Sequence, residues 1–408
     1  MAHSLIFNFR FLRARKVLAA ATALTAAAAL SVTASTSAAN AAALPPIRHV
    51  FVIMLENEGY ASTFGDPAAD PYLATTLPSQ GALLTQYYGT GHYSNDNYIS
   101  FISGQAPNVV NQQDCTTFSP FQFLDGILNL NIGGQWVGSG CVYPSVATTV
   151  ANQLTQAGDT WKAYEEDMGN DPARDNGTVC AHPTVGAADP TQTAETGDGY
   201  ATRHDPFVYF KSIIGNSAYC DAHVVPLGTT SGVMPPGTPA GTTGLATDLA
   251  SAATTPNFSF ITPDLCDDGH DYPCANETIG NSALADIDSF LQTWVPLITS
   301  SPAFQQNGLL EIAFDEADGT VPNVDATACC NEYPQPLGPA PGQSGPGGGV
   351  VGAVLLSPFI TPGTVTATPY NHFSSLATTE DLFGLPLLGE AATVTSTFGP
   401  DVFTNPGG

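Results

Sequence analysis

Basic residues are the scarcest chemical group in this chain of 408 residues. Nine Lys and Arg face 36 Asp and Glu, a formal charge of −27. Nucleic-acid binders need a basic surface for phosphates, so the balance speaks against that class. It speaks equally against a polybasic grip on anionic lipid. No P-loop occurs, no G-x-S-x-G nucleophile elbow, and no C-x-x-C pair of the kind that holds zinc. The acidic loop DLCDDGHD, residues 264–271, lacks the spacing and closing Glu of an EF-hand. Beyond the amino-terminal leader, no run reads as a transmembrane helix.

What is present begins with that leader. Arg10, Arg13, Arg15 and Lys16 hold four of the nine basic residues, and no acidic residue precedes position 42. A small apolar run from Val17 to Val32 and an Ala39-Asn40-Ala41 site follow. This order is that of a secretory signal peptide, residues 1–41. The remaining chain, 42–408, is expected to be secreted, extracellular or associated with the cell wall. Eight cysteines suit an oxidising compartment and up to four disulfides. Cys266 and Cys274 enclose a short loop and form a natural pair, whereas Cys329 and Cys330 are expected to find separate partners.

Short apolar runs read as buried strands: Arg48 to Leu55, Trp161 to Tyr164, Ser259 to Thr262, Leu309 to Phe314 and Val350 to Ser357. Helices are expected at Asn97 to Ser103, around Phe121 to Leu130, at Ser145 to Ala157, Ala283 to Leu297, and Ser374 to Phe383. Strands alternating with helices point to an α/β sandwich in a single domain. Gly/Pro-rich stretches at 228–244 and 334–349 are expected to be surface loop insertions.

Acidic residues recur where strands should end. Glu56 follows VIML, Asp264 follows FSFITP, and Asp315-Glu316 follow LLEIAF. In a mostly parallel sheet the carboxyl ends of the strands share one crevice. Carboxylates crowded there need protons or cations, and hard divalent metals are the usual answer. The segment GTGHYSNDNYISFISG, residues 89–104, sets His92, Ser94, Asn95, Asp96 and Asn97 just before a helix. Metal contact there would make Ser94 a nucleophile, with helix amides receiving an anion. The alternative is an Asn/Ser capping turn without chemistry. His204, His270 and His372 lie beside acidic or hydroxyl residues, where each can ligate metal, hold a phosphate oxygen or move a proton.

Taken in order, these pieces resemble the bacterial phosphoesterase family of secreted acid phosphatases and phosphocholine-type phospholipases C. VIMLENEGYASTFG, residues 52–65, is similar to the family's opening strand and E-N pair. The resemblance implies an alkaline-phosphatase-like, three-layer α/β/α sandwich with long surface loops. It implies a divalent metal ion held by Glu56, Asn57, Asp315 and Glu316. His92 to Tyr98 matches the family's H-P-S-x-P-N-Y, which implies Ser94 as nucleophile and Asn97 against phosphate. Tyr93 and Asp96 replace the two prolines and set an extra carboxylate beside the phosphate. RHDPF, residues 203–207, implies His204 on the phosphate side, and residues 260–271 imply Asp264 as a further metal ligand together with His270. The terminal Y-x-H-x-S element implies His372.

The activity so implied is metal-dependent hydrolysis of phosphoric esters, with a small phosphorylated substrate or a phospholipid head group. A phosphomonoesterase is favoured because no separate lipid-binding module is recognisable; phospholipase C or another diesterase is the alternative. The non-enzyme alternative is an acidic extracellular binding or surface-layer protein that keeps the fold. Cleavage of the leader after Ala41 would leave 367 residues. Intact-mass measurement of protein recovered from the culture medium should therefore begin at Ala42; a mass retaining residues 1–41 would refute export by this route.

Overall fold

The computed structural model describes residues 44–124, 130–275, 282–318, 324–332, 335–336, 346–405 and 407. The expected leader and most of the 334–349 loop lie outside them. Eight strands form one sheet: β1 (His49–Leu55), β2 (Ala82–Leu84), β3 (Trp161–Glu165), β4 (Val224–Pro226), β5 (Phe258–Thr262), β6 (Gly308–Phe314), β7 (Ala353–Leu356) and β8 (Thr364–Thr366). Their order is β8-β2-β7-β6-β1-β5-β3-β4. Only β7 runs against its neighbours; every other pairing is parallel.

The central strands are mainly apolar because both faces are covered; Glu311 in β6 is the charged exception. All seven residues of β1 are buried, as are all seven of β6. Each large aliphatic side chain so buried contributes at most about 1.5–3 kcal/mol. Among the helices that flank the sheet are α1 (Ser94–Ser103), α2 (Val150–Ala157), α3 (Ala283–Ser300), α4 (Pro302–Asn307) and α5 (His372–Phe383). The register shows which face each covers. Val52 of β1 stands beside Phe260 of β5 and Glu311 of β6. Phe260 packs on Phe101 of α1, and Glu311 accepts a hydrogen bond from Ser375 of α5. Phe51, one residue along β1 and so on the opposite face, packs on Phe304 of α4. Helices on both faces make the three-layer α/β/α sandwich.

Capping explains where these helices begin. Thr149 and Asn152 form a reciprocal box at α2, and Asn371 and Ser374 form another at α5. Ser282 caps α3, and Ser301 with Pro302 starts α4. Helix α2 therefore begins at Val150, five residues later than its composition suggests. Around Phe121 to Leu130 the expected helix is corrected. Gln122–Phe123 is a short strand paired with Gly138–Ser139, and residues 125–129 lie outside the described set. The 228–244 loop is described and irregular throughout.

Four disulfides account for all eight cysteines: Cys115–Cys141, Cys180–Cys220, Cys266–Cys274 and Cys329–Cys330. Separate partners for Cys329 and Cys330 are thus corrected, because the other six cysteines are consumed by three bridges. Among the described residues no helix is long and apolar enough to cross a membrane. The Cys115–Cys141 bridge closes a separation of 26 residues. Replacing both by Ser should cost about 3 kcal/mol from loop-closure entropy. Calorimetric unfolding of the double variant checks this; an unchanged transition would refute it.

Candidate active site

The site is organised around the amino end of α1. Tyr93, the residue before it, has φ of 81° and makes no capping bond with its own side chain. The turn is held by Asn97, whose Oδ1 accepts from the Thr90 and Gly91 amides at 2.8 and 3.0 Å. Asn97 Nδ2 donates to the Gly91 and Tyr93 carbonyls at 3.0 and 3.1 Å. This fastening carries helical geometry back to Ser94, three residues earlier than the sequence pattern indicates. The Tyr93 amide is taken by Glu316 Oε1 at 3.0 Å, and the other oxygen of Glu316 pairs with His92. In the same turn the Asn95 amide donates to Asp114 Oδ1 at 3.1 Å.

Ser94 is buried and donates its hydroxyl hydrogen to Glu56 Oε2 at 2.7 Å. Glu56 leaves the end of β1 directly beside the end of β6, and the Asn57 amide donates to Asp315 Oδ1 at 3.0 Å. Asn57 Nδ2 reaches Glu56 Oε2 at 3.3 Å. The second oxygen of Glu56, Oε1, stands 3.2 Å from His204 Nε2. Neither atom has a hydrogen-bond partner, and Asp315 Oδ2 is also buried and unpartnered. His204 Nδ1 meets Asp268 Oδ2 at 3.0 Å. A proton on Nδ1 leaves Nε2 as a bare lone pair facing a carboxylate oxygen, the arrangement of a carboxylate-oriented metal ligand.

The charges agree with that donor set. Burial pushes Glu56 well above the usual carboxylate range, and the charges of Asp315 and Asp268 push it further. Asp315 is raised by burial and by Glu316, and Asp268 by burial. Burial holds His204 well below the usual imidazole range, with Arg203 and His270 adding to it, so it stands neutral as a ligand requires. Unpartnered donors, several carboxylates and a neutral imidazole fit a divalent cation. One ligand atom each from Glu56, His204 and His270 lies within 4.8 Å of the others.

The remaining expected residues have distinct places. His270 follows Gly269, whose φ of 99° turns the loop; its Nδ1 meets Asp271 at 2.7 Å and its Nε2 meets Arg203 at 3.1 Å. Its side chain is 25% exposed, against 1% for His204. Asp264 stands in a second group with Glu166 and Asp267, which also has the spacing to chelate a cation. Its Oδ1 accepts from the Cys266 and Asp267 amides, both at 2.8 Å. His372 lies behind Asp315, with Nε2 on the Asp315 carbonyl at 2.7 Å and Nδ1 on Tyr87 at 3.1 Å. Tyr87 continues through Ser375 to Glu311, a buried chain that braces the end of β6.

One participant, Asp114, carries no readable sequence signal, and Arg203 is legible only as the neighbour of His204 in RHDPF. Asp114 is an acidic residue in an irregular loop, twenty positions beyond Ser94. Arg203, only 1% exposed, is the basic residue that reaches His270; its other nitrogen donates to the Gln192 carbonyl at 3.0 Å.

Acidic donors at the carboxyl ends of a parallel sheet, facing a hydroxyl on a helix amino terminus, define a hydrolase of the metal-binding, ester-cleaving class. The chain belongs to the Phosphoesterase family, whose family model matches residues 68–386. It is 22% identical over 351 residues to a phosphatidylinositol-3-phosphatase of Mycobacterium tuberculosis, covering 86% of this chain and 82% of that protein. It is 25% identical over 382 residues to a phosphate-repressible acid phosphatase of Penicillium chrysogenum, covering 91% and 70%. An acid phosphatase of Aspergillus fumigatus is 24% identical over 83% of this chain, which spans 55% of that longer protein. Among solved structures, an alkaline phosphatase superfamily protein from Vibrio parahaemolyticus aligns with a TM-score of 0.47 at 14% identity, over 87% of this chain and 72% of that one.

The bracing chain behind His372 makes a pH prediction. Burial pushes Glu311 up to about 7, while Ser375 and Tyr87 hold it lower than burial alone would. Its protonated form is therefore favoured in the folded state, and stability falls as pH rises from the ordinary carboxylate value through about 7. Glu311→Gln should gain on the wild type across that window, by a ceiling of about 3 kcal/mol. Denaturant midpoints from pH 4 to 8 check it; parallel profiles would refute it.

Proposed function

We propose that this chain is an exported phosphomonoesterase in which Ser94 is the nucleophile. The observation that carries this reading is the hydrogen bond from Ser94 to Glu56 at the first residue of α1. It supplies an acceptor for the hydroxyl proton beside helix amides suited to phosphoryl oxygens. A cation taken by Glu56, Asp315 and His204, with Asn57 and Glu316 at the rim, would neutralise phosphate charge that one arginine cannot. His270 is better suited to substrate than to that cation, because both ring nitrogens already have partners, Asp271 and Arg203, and its ring is partly exposed.

The residues then have separate tasks. Ser94 Oγ bonds to phosphorus as its proton passes to Glu56, and the ester P–O bond breaks. The leaving alkoxide takes a proton from His270 in its imidazolium form, whose charge Asp271 stabilises beside Nδ1. Water next attacks the phosphoseryl group, giving its proton to His270, and Ser94 leaves with the proton held by Glu56. Atoms and charge are restored at the end of the cycle. Asn97 keeps the turn under Ser94, and His372 keeps the Asp315 backbone in place. The preference for monoesters rests on the phosphatases among the matched relatives.

The test is turnover of p-nitrophenyl phosphate, bis-p-nitrophenyl phosphate and phosphatidylcholine, before and after chelation and divalent-metal return. Metal-restored monoester cleavage is expected, falling on the order of 10³-fold or more in Ser94→Ala. Activity surviving in Ser94→Ala would overturn the nucleophile, and diester preference would make the chain a diesterase.

A further inference from the structure

Resting on this reading of the site, the position of Asp114 calls for a role. Helix α1 takes no capping bond from the side chain of its own N-cap residue. Its Asn95 amide is satisfied instead by Asp114, whose carboxylate arrives from a separate loop and lies at 3.1 Å. The groups around Asp114 are mixed in sign. Arg203 and His270 face it as attracting charges, and its own charge acts on Asp96, Asp315 and Glu316. It thus meets a helix amide directly while the Arg203 charge draws it, and a phosphoryl group received at the same amides would meet its charge. Next to this seat lie the buried, unpartnered Glu56 Oε1 and His204 Nε2 assigned to the cation, joined to the turn through the hydrogen bond from Ser94 to Glu56, so a phosphoryl group held by that cation would lie at the same turn.

We infer that Asp114 is a substrate-mimicking carboxylate: it occupies the anion seat at the amino end of α1, and a phosphoryl group binds by displacing it. Its loop is built to hold it there. Asp114 and Cys115 adopt φ of 53° and 48°, both in the left-handed region that side-chain-bearing residues seldom enter, and Cys115 is tied to Cys141. Asp114 is half-buried, so solvent remains within its reach once it is displaced. The consequence is a specificity filter. Ligands that bring only a negative charge compete with a resident one, so free phosphate, the product, is held weakly. A substrate gains from the rest of its structure what the seat withholds.

Direction separates this role from a merely structural one. Calorimetric titration with inorganic phosphate, on protein loaded with a divalent cation, should give at least about tenfold tighter binding for Asp114→Asn than for wild type, since a like charge this close is worth about one decade or more. The Asn side chain still accepts from the Asn95 amide, which preserves the helix start. Asp114→Ser carries the same test if the Asn variant does not fold. Steady-state kinetics should show stronger product inhibition and a lower KM. Equal or weaker phosphate binding in the folded variant would overturn the inference, because loss of a structural prop can only damage the seat. Wild type that turns over phosphomonoesters while Asp114→Asn binds phosphate unchanged would sink this inference alone. Phosphate binding by neither protein, with no turnover, would sink the proposed function with it.

Discussion

Buried negative charge is the constraint on which the structure depends. Glu56, Asp96, Asp268, Asp315 and Glu316 are all buried around one end of the sheet, and Arg203 is the basic residue brought to meet them. Water cannot solvate these groups and protons can neutralise only some of them. The fold answers by setting the bare nitrogen of a neutral imidazole against an unpartnered carboxylate oxygen of Glu56. Much of the rest, including the loop fastening by Asn97 and the bracing behind Asp315, keeps these donors from relaxing apart.

The amino end of α1 is where this excess is divided. Glu316 takes the Tyr93 amide, Asp114 takes the Asn95 amide, and Ser94 between them gives its hydrogen to Glu56. Three carboxylates from three separate segments thus converge on three consecutive residues of one turn. A helix terminus tolerates this because its exposed amides carry partial positive charge.

The central strands were legible because they are buried on both faces and so read as short, mainly apolar runs. His49–Leu55 and Gly308–Phe314 differ by one residue from the runs seen in sequence. Acidic residues at those strand ends could be grouped because parallel topology brings carboxyl ends together. What could not be read depended on tertiary partners. The early start of α1 comes from Asn97 reaching back across a folded turn, and the partners of Asp114 lie about twenty and ninety residues away. The pairing of Cys329 with Cys330 follows from how the other six cysteines pair, which local spacing does not reveal. Around Phe121 the apolar content suggested a helix, but Gln122–Phe123 pairs across to Gly138–Ser139, and tertiary pairing overrides such local patterns.

The single reversed strand has an architectural consequence. Because β7 runs against β6, with Ala353 opposite Ala313, the connection between them starts and finishes at the same edge of the sheet. That edge is the one from which Asp315 and Glu316 emerge. A parallel β7 would have forced this stretch to traverse the domain and return from beneath. As built, the stretch joining them stays at that end of the sheet, and its described residues bind back to the site: the Asp325 carbonyl meets His92 Nε2 at 2.9 Å, and Gly348 and Gly349 pair with Gly89. The connection that closes the sheet therefore also fixes the loop leading to Ser94, and a change in its length would be passed on to that loop rather than absorbed.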